Sequence, residues 1–268
     1  MKVCYQIGRF DKDLDHELTF EIENQQFKTS LSSFALWKYF STRNEQIDVI
    51  LLYPISLFLN RLAVEKLKEE SLKTRLLPLL SDEKSKKAFL EAPYSYYQDH
   101  PHSKIAGNFV VIPSLGEYEG THFQGSFYQI MLKIFLDMVK RYDDSPFDAL
   151  YLDISSGLNV YNLALLESAR AFLIFLGLQN FHTPECVPKL YLTFSEPIQS
   201  DKSRPHKIHK DNQIEVRAFF SLPLKPSSSD INSAFSKFAK SLQELLSQDR
   251  AFKNTLNSLL TKAYFFYS

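Results

Sequence analysis

The sequence predicts an α/β fold: a doubly wound, mostly parallel sheet with an antiparallel edge hairpin and a C-terminal helical appendage. Short apolar runs of strand length recur through residues 1–222, and longer apolar runs with helical spacing separate most of them. Strands that alternate with helices in this way form parallel sheets with helices packed on both faces. A stretch rich in proline and serine at residues 223–229 then separates this part of the chain from an amphipathic tail.

The composition is that of a globular protein with a large core. The chain has 268 residues, of which 44% are apolar and 14% are aromatic, so global disorder is excluded. Its formal charge is zero, which argues against general binding to duplex nucleic acid, although residues 202–268 carry 11 Lys and Arg against 5 Asp and Glu. It has two cysteines, no signal-peptide pattern and no uncharged run of bilayer length. We therefore expect a cytoplasmic protein without disulfides and without a membrane partner.

The first strand predicts one side of a ligand site. Residues 3–7 are apolar enough for a buried strand, and the chain then continues into Gly8 and Arg9. A glycine directly after the first strand lies where an open α/β sheet has its ligand crevice. The guanidinium of Arg9 could face an anion there, or it could be solvated.

A second group of polar residues follows the next strand. Residues 17–22 alternate between apolar and polar side chains, as a half-exposed strand or hairpin arm does. The hydroxyl-rich residues 29–33, among them Ser30, precede an apolar helix at residues 34–40. We interpret these hydroxyls as the N-cap of that helix and as a second hydroxyl cluster on the ligand side.

The middle of the chain contains a strand and a stretch that is hard to interpret. Residues 47–53 have the continuous apolar pattern of a buried parallel strand. Residues 76–107 show no clear period and contain His100 and His102, two residues apart. We favour a polar loop over a metal site here, because no cysteine or acidic residues complete a zinc-binding set. The sequence thus predicts no metal and no cofactor.

The next segments complete the predicted sheet. Residues 108–113 form a strand, the turn after it contains Gly116, and residues 127–142 form a helix. Late in the chain, residues 190–194 and 214–222 have strand patterns. We expect this last pair to be antiparallel and to lie at the edge of the sheet.

The turn at residues 153–159, with the sequence Asp-Ile-Ser-Ser-Gly-Leu-Asn, is the strongest functional signal. It follows a strand and opens a long apolar helix at residues 160–178. Backbone N–H groups and the helix dipole make such a turn a seat for phosphate. Gly157 would allow a tight turn or a close approach of ligand, and Asn159 is an N-cap or a contact to base or ribose. The alternative is an ordinary strand-to-helix turn capped by Ser or Asn.

The tail forms a separate region. Residues 223–229 are a linker, Asp230 caps an amphipathic helix, and a second helix and an aromatic end follow. We divide the chain into a ligand-binding domain at 1–222 and a helical extension at 223–268. The extension is either a remnant of an effector domain or a dimerisation segment.

These residues resemble the CARF family (CRISPR-associated Rossmann fold), the sensors of type III CRISPR defence. The resemblance covers about residues 1–222, and its most specific part is an Asp-x-Ser-x-Gly-x-Asn turn. The matching residues are Asp153, Ser155, Gly157 and Asn159 in the turn, Gly8 and Arg9 in the first loop, Pro113, Gly116, Phe123 and Gly125 upstream of the turn, and the break at Ser195, Glu196 and Pro197 after a late strand.

The resemblance implies a Rossmann-like homodimer that binds one cyclic oligoadenylate, of four or six nucleotides, across its two-fold axis. A symmetric ring of phosphates can be met by two copies of one anion site. In that arrangement Asp153 orders the turn rather than contacting the anion. The candidate ligand-binding residues are Gly8, Arg9, Ser30, Gly116, Ser155, Ser156, Gly157, Leu158 and Asn159.

Three functions remain open at this point. The first is a sensor that signals through residues 223–268. The second is a ring nuclease, in which a ribose 2′-OH attacks its own 3′-phosphate and Ser155, Ser156 and Arg9 stabilise the charge without metal or histidine. The third is an unrelated α/β enzyme for a phosphorylated metabolite, although the sequence contains no Gly-rich dinucleotide motif and no nucleophile elbow.

An effector domain of the ribonuclease type is not predicted within this sequence. The resemblance implies that such domains carry an arginine and, a few residues later, a histidine on a helix, and Arg204 and His209 have that spacing. Pro205 and the flanking pattern favour an exposed basic hairpin instead. The 45 residues after Pro223 are also fewer than such a domain needs.

Overall fold

The computed structural model describes residues 1–10, 17–180, 183–196, 204–216 and 254. Within them the strands are β1 (Lys2–Ile7), β2 (Leu18–Ile22), β3 (Gln25–Thr29), β4 (Ile47–Pro54), β5 (Asn108–Ile112), β6 (Leu115–Tyr118), β7 (Thr121–Gln124), β8 (Ala149–Asp153), β9 (Lys189–Ser195) and β10 (His206–Ile214). The helices are α1 (Ser32–Ser41), α2 (Arg61–Glu65), α3 (Glu70–Ser81), α4 (Glu83–Glu91), α5 (Pro93–Gln98), α6 (Pro101–Ala106), α7 (Phe127–Asp144) and α8 (Asn159–Gln179).

The main sheet confirms the predicted fold class. Its eight strands have the order β3-β2-β10-β9-β8-β1-β4-β5, and β6 and β7 form a separate hairpin. The strands β9, β8, β1, β4 and β5 are all parallel. From β1 the chain moves outward to β4 and β5, and it later returns to β8, on the other side of β1, and moves outward to β9. The direction of winding therefore reverses between β1 and β8, which is where open α/β sheets bind ligands.

The antiparallel pair lies further inside the sheet than predicted. Strands β9 and β10 are antiparallel, as expected, but β2 pairs with β10 and β3 forms the edge. Strand β10 also begins earlier than the predicted strand at 214–222. Its sequence, HKIHKDNQI, has few residues that favour strands, so hydrogen bonds to β9 and β2 determine its conformation.

Two hydrophobic cores cover the two faces of the sheet. Along β1, Val3, Tyr5 and Ile7 pack with α7 and α8, whereas Cys4 packs on the opposite face with α1 and the helices between β4 and β5. This alternation is the two-residue period of a strand buried on both faces. Among the described helices α8 alone has the length and hydropathy of a membrane span, but half of that stretch is buried within the fold, as in a core helix.

The prediction of a polar loop around His100 and His102 is wrong. The segment between β4 and β5 is helical, and both histidines are buried, with 0% and 1% of their surface exposed. The Nδ1 of His100 accepts a hydrogen bond from the His102 amide at the start of α6 and lies 3.3 Å from the hydroxyl of Tyr53. The described residues contain no group of three or more metal-ligating side chains. These histidines are therefore part of an aromatic core.

The expectations for the tail lie outside the described residues. These are the predicted linker at 223–229, the helix capped by Asp230, the second helix and the aromatic end. The domain boundary at residue 222 likewise stays a prediction.

Candidate ligand-binding site

A cleft of about 630 Å³ opens at the carboxyl ends of β1 and β8, where the winding of the sheet reverses. Its lining comes from the end of β1 and the loop after it, from residues 30–32 before α1 and from the turn between β8 and α8. Residues at the end of β9 and the start of β10 complete it. Segments far apart in the sequence thus meet at one site.

Most of the predicted ligand-binding residues line this cleft. They are Gly8, Arg9, Ser30, Ser155, Ser156, Gly157 and Leu158. Asn159 and Gly116 are not among the lining residues: Asn159 begins α8, and Gly116 pairs with Phe123 in the β6–β7 hairpin. A ligand contact for any of these residues stays a prediction.

The loop after β1 is held against a cluster of aromatic rings. A Cβ atom on Gly8 would lie 2.1 Å from Cε1 of Tyr53, so packing requires a glycine here. Phe10 packs edge-on against Phe58, with 4.9 Å between ring centroids. Burial and the neighbouring His102 lower the pKa of His100, which packs against Phe10, well below its usual value. A neutral, apolar support therefore fixes the position of Arg9.

Asp153 organises the turn after β8. Its side chain is fully buried, and Oδ1 accepts a hydrogen bond of 2.9 Å from the Ser155 amide. Burial raises the pKa of this carboxyl, although the hydrogen bonds from Ser155 act in the opposite direction. The Ser155 hydroxyl is one of the groups that hydrogen-bond the Asp153 carboxyl, and its Oγ accepts a bond of 3.0 Å from the Ser195 amide.

Asn162 holds the turn through its side-chain amide, a role that was not predicted from the sequence. Its Nδ2 donates to the carbonyl of Ser156 at 2.7 Å and lies 3.4 Å from the carbonyl of Ile154, while the Ser156 hydroxyl donates to Oδ1 at 3.1 Å. The only signal was a polar residue within the first turn of an apolar helix. The Asn162 side chain thus ties the turn to the first turn of α8.

Helix α8 begins without a side-chain cap, so the predicted N-cap role of Asn159 is wrong. The N-cap is Leu158, and no side chain accepts a hydrogen bond there. Within the described part of the chain, the amides of Ser156, Gly157 and Leu158 donate no hydrogen bond. Free amides at a helix N-terminus provide a site for an anion.

Gly157 is exposed in this turn, and its environment leaves room for a side chain. An added Cβ would have no atom within 4 Å, and the backbone does not adopt the left-handed conformation that favours glycine. The conformation therefore does not require glycine here. A ligand that approaches the backbone closely would require a glycine at this position.

Helix α1 also begins without a side-chain cap, so the predicted hydroxyl N-cap is wrong. Its N-cap is Leu31, and the next two hydroxyls bind the buried side chain of Gln6 instead. The Gln6 Nε2 donates to Ser32 Oγ at 2.9 Å, and the Ser33 hydroxyl donates to Gln6 Oε1. Gln6 Nε2 also lies 3.5 Å from Oδ1 of Asp153. A buried polar network thus joins the start of α1 to the turn after β8.

The residues at the β9–β10 end of the cleft, Ser195, Glu196 and His206, were not predicted as site residues. The predicted exposed hairpin is in part wrong, because His206 is half-buried and lines the cleft at the first position of β10. Its ring lies 5.6 Å from that of Phe20. Strand β10 reaches this position by pairing with β2, a contact that sequence patterns do not show. The segment from His206 is already part of β10, earlier than predicted, and it does not form the helix that an effector ribonuclease would need.

The fold and the cleft define a Rossmann-like ligand-binding domain. Residues 3–197 match the family described as CRISPR system endoribonuclease Csx1, CARF domain. The match covers most of the chain, so the chain belongs to this family and is a CARF domain protein of type III CRISPR systems. The family resemblance predicted from sequence is confirmed. A comparison with curated proteins gives no match.

Proposed function

We propose that this protein is a cytoplasmic sensor that binds a cyclic oligoadenylate of four or six nucleotides and thereby regulates an effector. The observation that carries the proposal is the uncapped start of α8, whose free amides at Ser156, Gly157 and Leu158 lie in the cleft. CARF domains bind cyclic oligoadenylates in general, so family and geometry point to the same ligand class. Membership of this family leaves the unrelated metabolite enzyme without support.

We place the phosphate contacts at the turn after β8 and at the loop after β1. The amides of the turn can donate to phosphate oxygens, and Arg9 supplies positive charge on the facing loop. An anion at one helix N-terminus gains about 0.3–1 kcal/mol, and up to about 2 kcal/mol where it is partly buried. Tight binding therefore needs several such contacts, which two copies of the turn would provide.

An exposed apolar surface supports the homodimer. Tyr128, Leu132 and Leu136 on α7 are 77%, 55% and 53% exposed, and Val160 and Leu163 near the start of α8 are 39% and 50% exposed. Helices α7 and α8 pack side by side, and α8 begins at the cleft. Apolar side chains grouped in this way usually mark an interface. A second copy placed on this surface would lie next to the start of α8, which adjoins the turn that lines the cleft.

Ligand binding is tested by calorimetry with cyclic tetra-adenylate and cyclic hexa-adenylate, with linear oligoadenylates of the same lengths as controls. We expect one of the two rings to bind with a dissociation constant below about 1 μM, or about −8 kcal/mol. Weaker binding of both rings, or equal binding of the linear forms, would contradict the proposal.

Cleavage of the ring at the same cleft is a second candidate function. The observation that favours it is the imidazole of His206 in the cleft that holds the phosphate-binding turn. Ring opening by a ribose 2′-OH needs in-line positioning and charge stabilisation, which Ser155, Ser156 and Arg9 could supply. Chromatography of the ring after incubation with protein and EDTA tests it. A ring that stays intact over hours would exclude this activity.

A further inference from the structure

We propose that His206 accepts the proton of the attacking 2′-hydroxyl when the bound oligoadenylate is cleaved. This inference rests on the proposed binding function and assigns a residue to the second candidate activity. The sequence predicted a cleavage that needs no histidine, whereas the structure places the imidazole of His206 in the lining of the cleft. Among the described residues that line the cleft, His206 carries the only imidazole.

Hydrogen bonds connect His206 to the phosphate-binding turn. The Ser195 amide donates to Oγ of Ser155 at 3.0 Å, and the Glu196 amide donates to the carbonyl of Lys207 at 2.8 Å. In the β9–β10 ladder, Ile208 lies opposite Ser195. The end of β9 thus contacts the turn on one side and the start of β10 on the other. This fixes the first residue of β10 relative to the place where a phosphate would sit.

The surroundings of the ring indicate which nitrogen can accept a proton. Nδ1 of His206 lies 3.4 Å from the carbonyl oxygen of Glu196. A carbonyl oxygen can only accept a hydrogen bond, so Nδ1 is the nitrogen that carries the hydrogen and Nε2 has the free lone pair. The ring of Phe20 lies 5.6 Å away and limits the rotation of the imidazole. A neutral imidazole with a free lone pair is the form that a general base requires.

The other ionisable side chains near the cleft are less suited to this role. The carboxylate of Glu196 contacts the Nε2 of His209 at 2.6 Å, on the exposed side of the hairpin. Arg9 carries a permanent positive charge, which suits it to stabilise phosphate rather than to accept a proton. His100 is fully buried beneath the first loop and does not line the cleft.

The step balances without a co-reactant. Nε2 of His206 takes the proton from the 2′-hydroxyl, the bond from O2′ to phosphorus forms, and the bond from phosphorus to O5′ breaks. The 5′ oxygen takes a proton from water, and the imidazolium returns its proton to the hydroxide that this leaves. The ring becomes a linear oligoadenylate with a 2′,3′-cyclic phosphate and a 5′-hydroxyl, with no net use of water.

The test compares three versions of this chain: the wild type, His206→Gln and His122→Gln. Glutamine keeps the size and polarity of histidine but cannot accept the proton. His122 is exposed on the β6–β7 hairpin and does not line the cleft, so its variant controls for loss of a histidine in general. Binding of cyclic tetra-adenylate and cyclic hexa-adenylate is measured by calorimetry. Single-turnover cleavage in EDTA is measured by chromatography and mass spectrometry on the same preparations.

We expect His206→Gln to bind the ring within about threefold of the wild type but to cleave it at least about 100-fold more slowly, the usual contribution of a general base. His122→Gln should bind and cleave as the wild type does. Unchanged cleavage by His206→Gln, or equal losses of binding and cleavage, would overturn the inference. A wild type that binds the ring and leaves it intact would also overturn the inference about His206, but it would agree with the proposed sensor function. A wild type that binds no ring would contradict both the sensor function and the role of His206.

Discussion

Two glycines of the cleft illustrate opposite reasons for having no side chain. At Gly8 the ring of Tyr53 occupies the space of a Cβ, whereas at Gly157 that space is open to solvent. Each glycine follows a strand and belongs to a segment that resembles the family, and the sequence cannot distinguish their roles because the packing partner of Gly8 is 45 residues away. The difference gives a matched pair of substitutions.

Gly157→Ala should leave the stability unchanged and weaken binding of the ring at least tenfold, because the methyl group occupies the space in which a phosphate would approach the amides. Gly8→Ala should instead destabilise the fold by about 1–3 kcal/mol, as overpacking does. Thermal unfolding and calorimetry measure both effects. Binding of the ring by Gly157→Ala with wild-type affinity would show that phosphate does not approach this turn.

Asn162 gives a second prediction at this scale. Asn162→Ala removes the side-chain bonds to Ser156 and should weaken ring binding several-fold without a direct ligand contact, because the turn loses its clamp. Asn180→Ala is the control, since Asn180 makes one similar bond at the other end of α8. Equal effects of the two variants on ring affinity would indicate a general weakening of the helix.

Asp153 gives a prediction about pH. Burial raises the pKa of its carboxyl, so ionisation costs more in the folded than in the unfolded protein. That cost is absent below the unfolded pKa of about 3.9, grows as the pH rises from there to the folded pKa, and is constant above it. The melting temperature of Asp153→Asn relative to wild type should therefore increase between pH 4 and pH 7. A difference in melting temperature that stays constant or falls between pH 4 and pH 7 would contradict a raised pKa of the Asp153 carboxyl.

At the scale of secondary-structure elements, α7 and α8 were predicted from their periodicity, but their exposed apolar faces were not. A hydrophobic residue at a helical position predicts burial, and the sequence does not show whether the same chain or a second copy provides it. The same reasoning applies to β10, whose polar sequence hides its place in the sheet. For the helix faces and for β10 alike, the environment depends on packing partners that are distant in the sequence.

Leu132→Glu combined with Leu163→Glu should convert a dimer into a monomer and lower ring affinity at least tenfold, because charges on an apolar interface are not tolerated. Leu62→Glu on α2, where the side chain is 68% exposed, is the matched control. Light scattering measures the mass. A wild type that is already monomeric, with and without the ring, would contradict the dimer.

For the molecule as a whole, the sequence predicted the parallel sheet, the reversal of winding and most of the cleft. These features follow from local periodicity and from residues directly after strands, which reasoning on the sequence can identify. The β9–β10 side of the cleft, the Asn162 clamp and the buried histidines depend on tertiary packing. His206 shows the consequence, since a residue interpreted as part of an exposed hairpin lies in the site.

The stoichiometry of ring binding tests the central claim most directly. If the turns after β8 of two chains bind one symmetric ligand between them, calorimetry should give one cyclic oligoadenylate for every two chains. A ratio of one ring per chain would contradict the symmetric site. The absence of binding by either ring would contradict the account of the turn as a phosphate site.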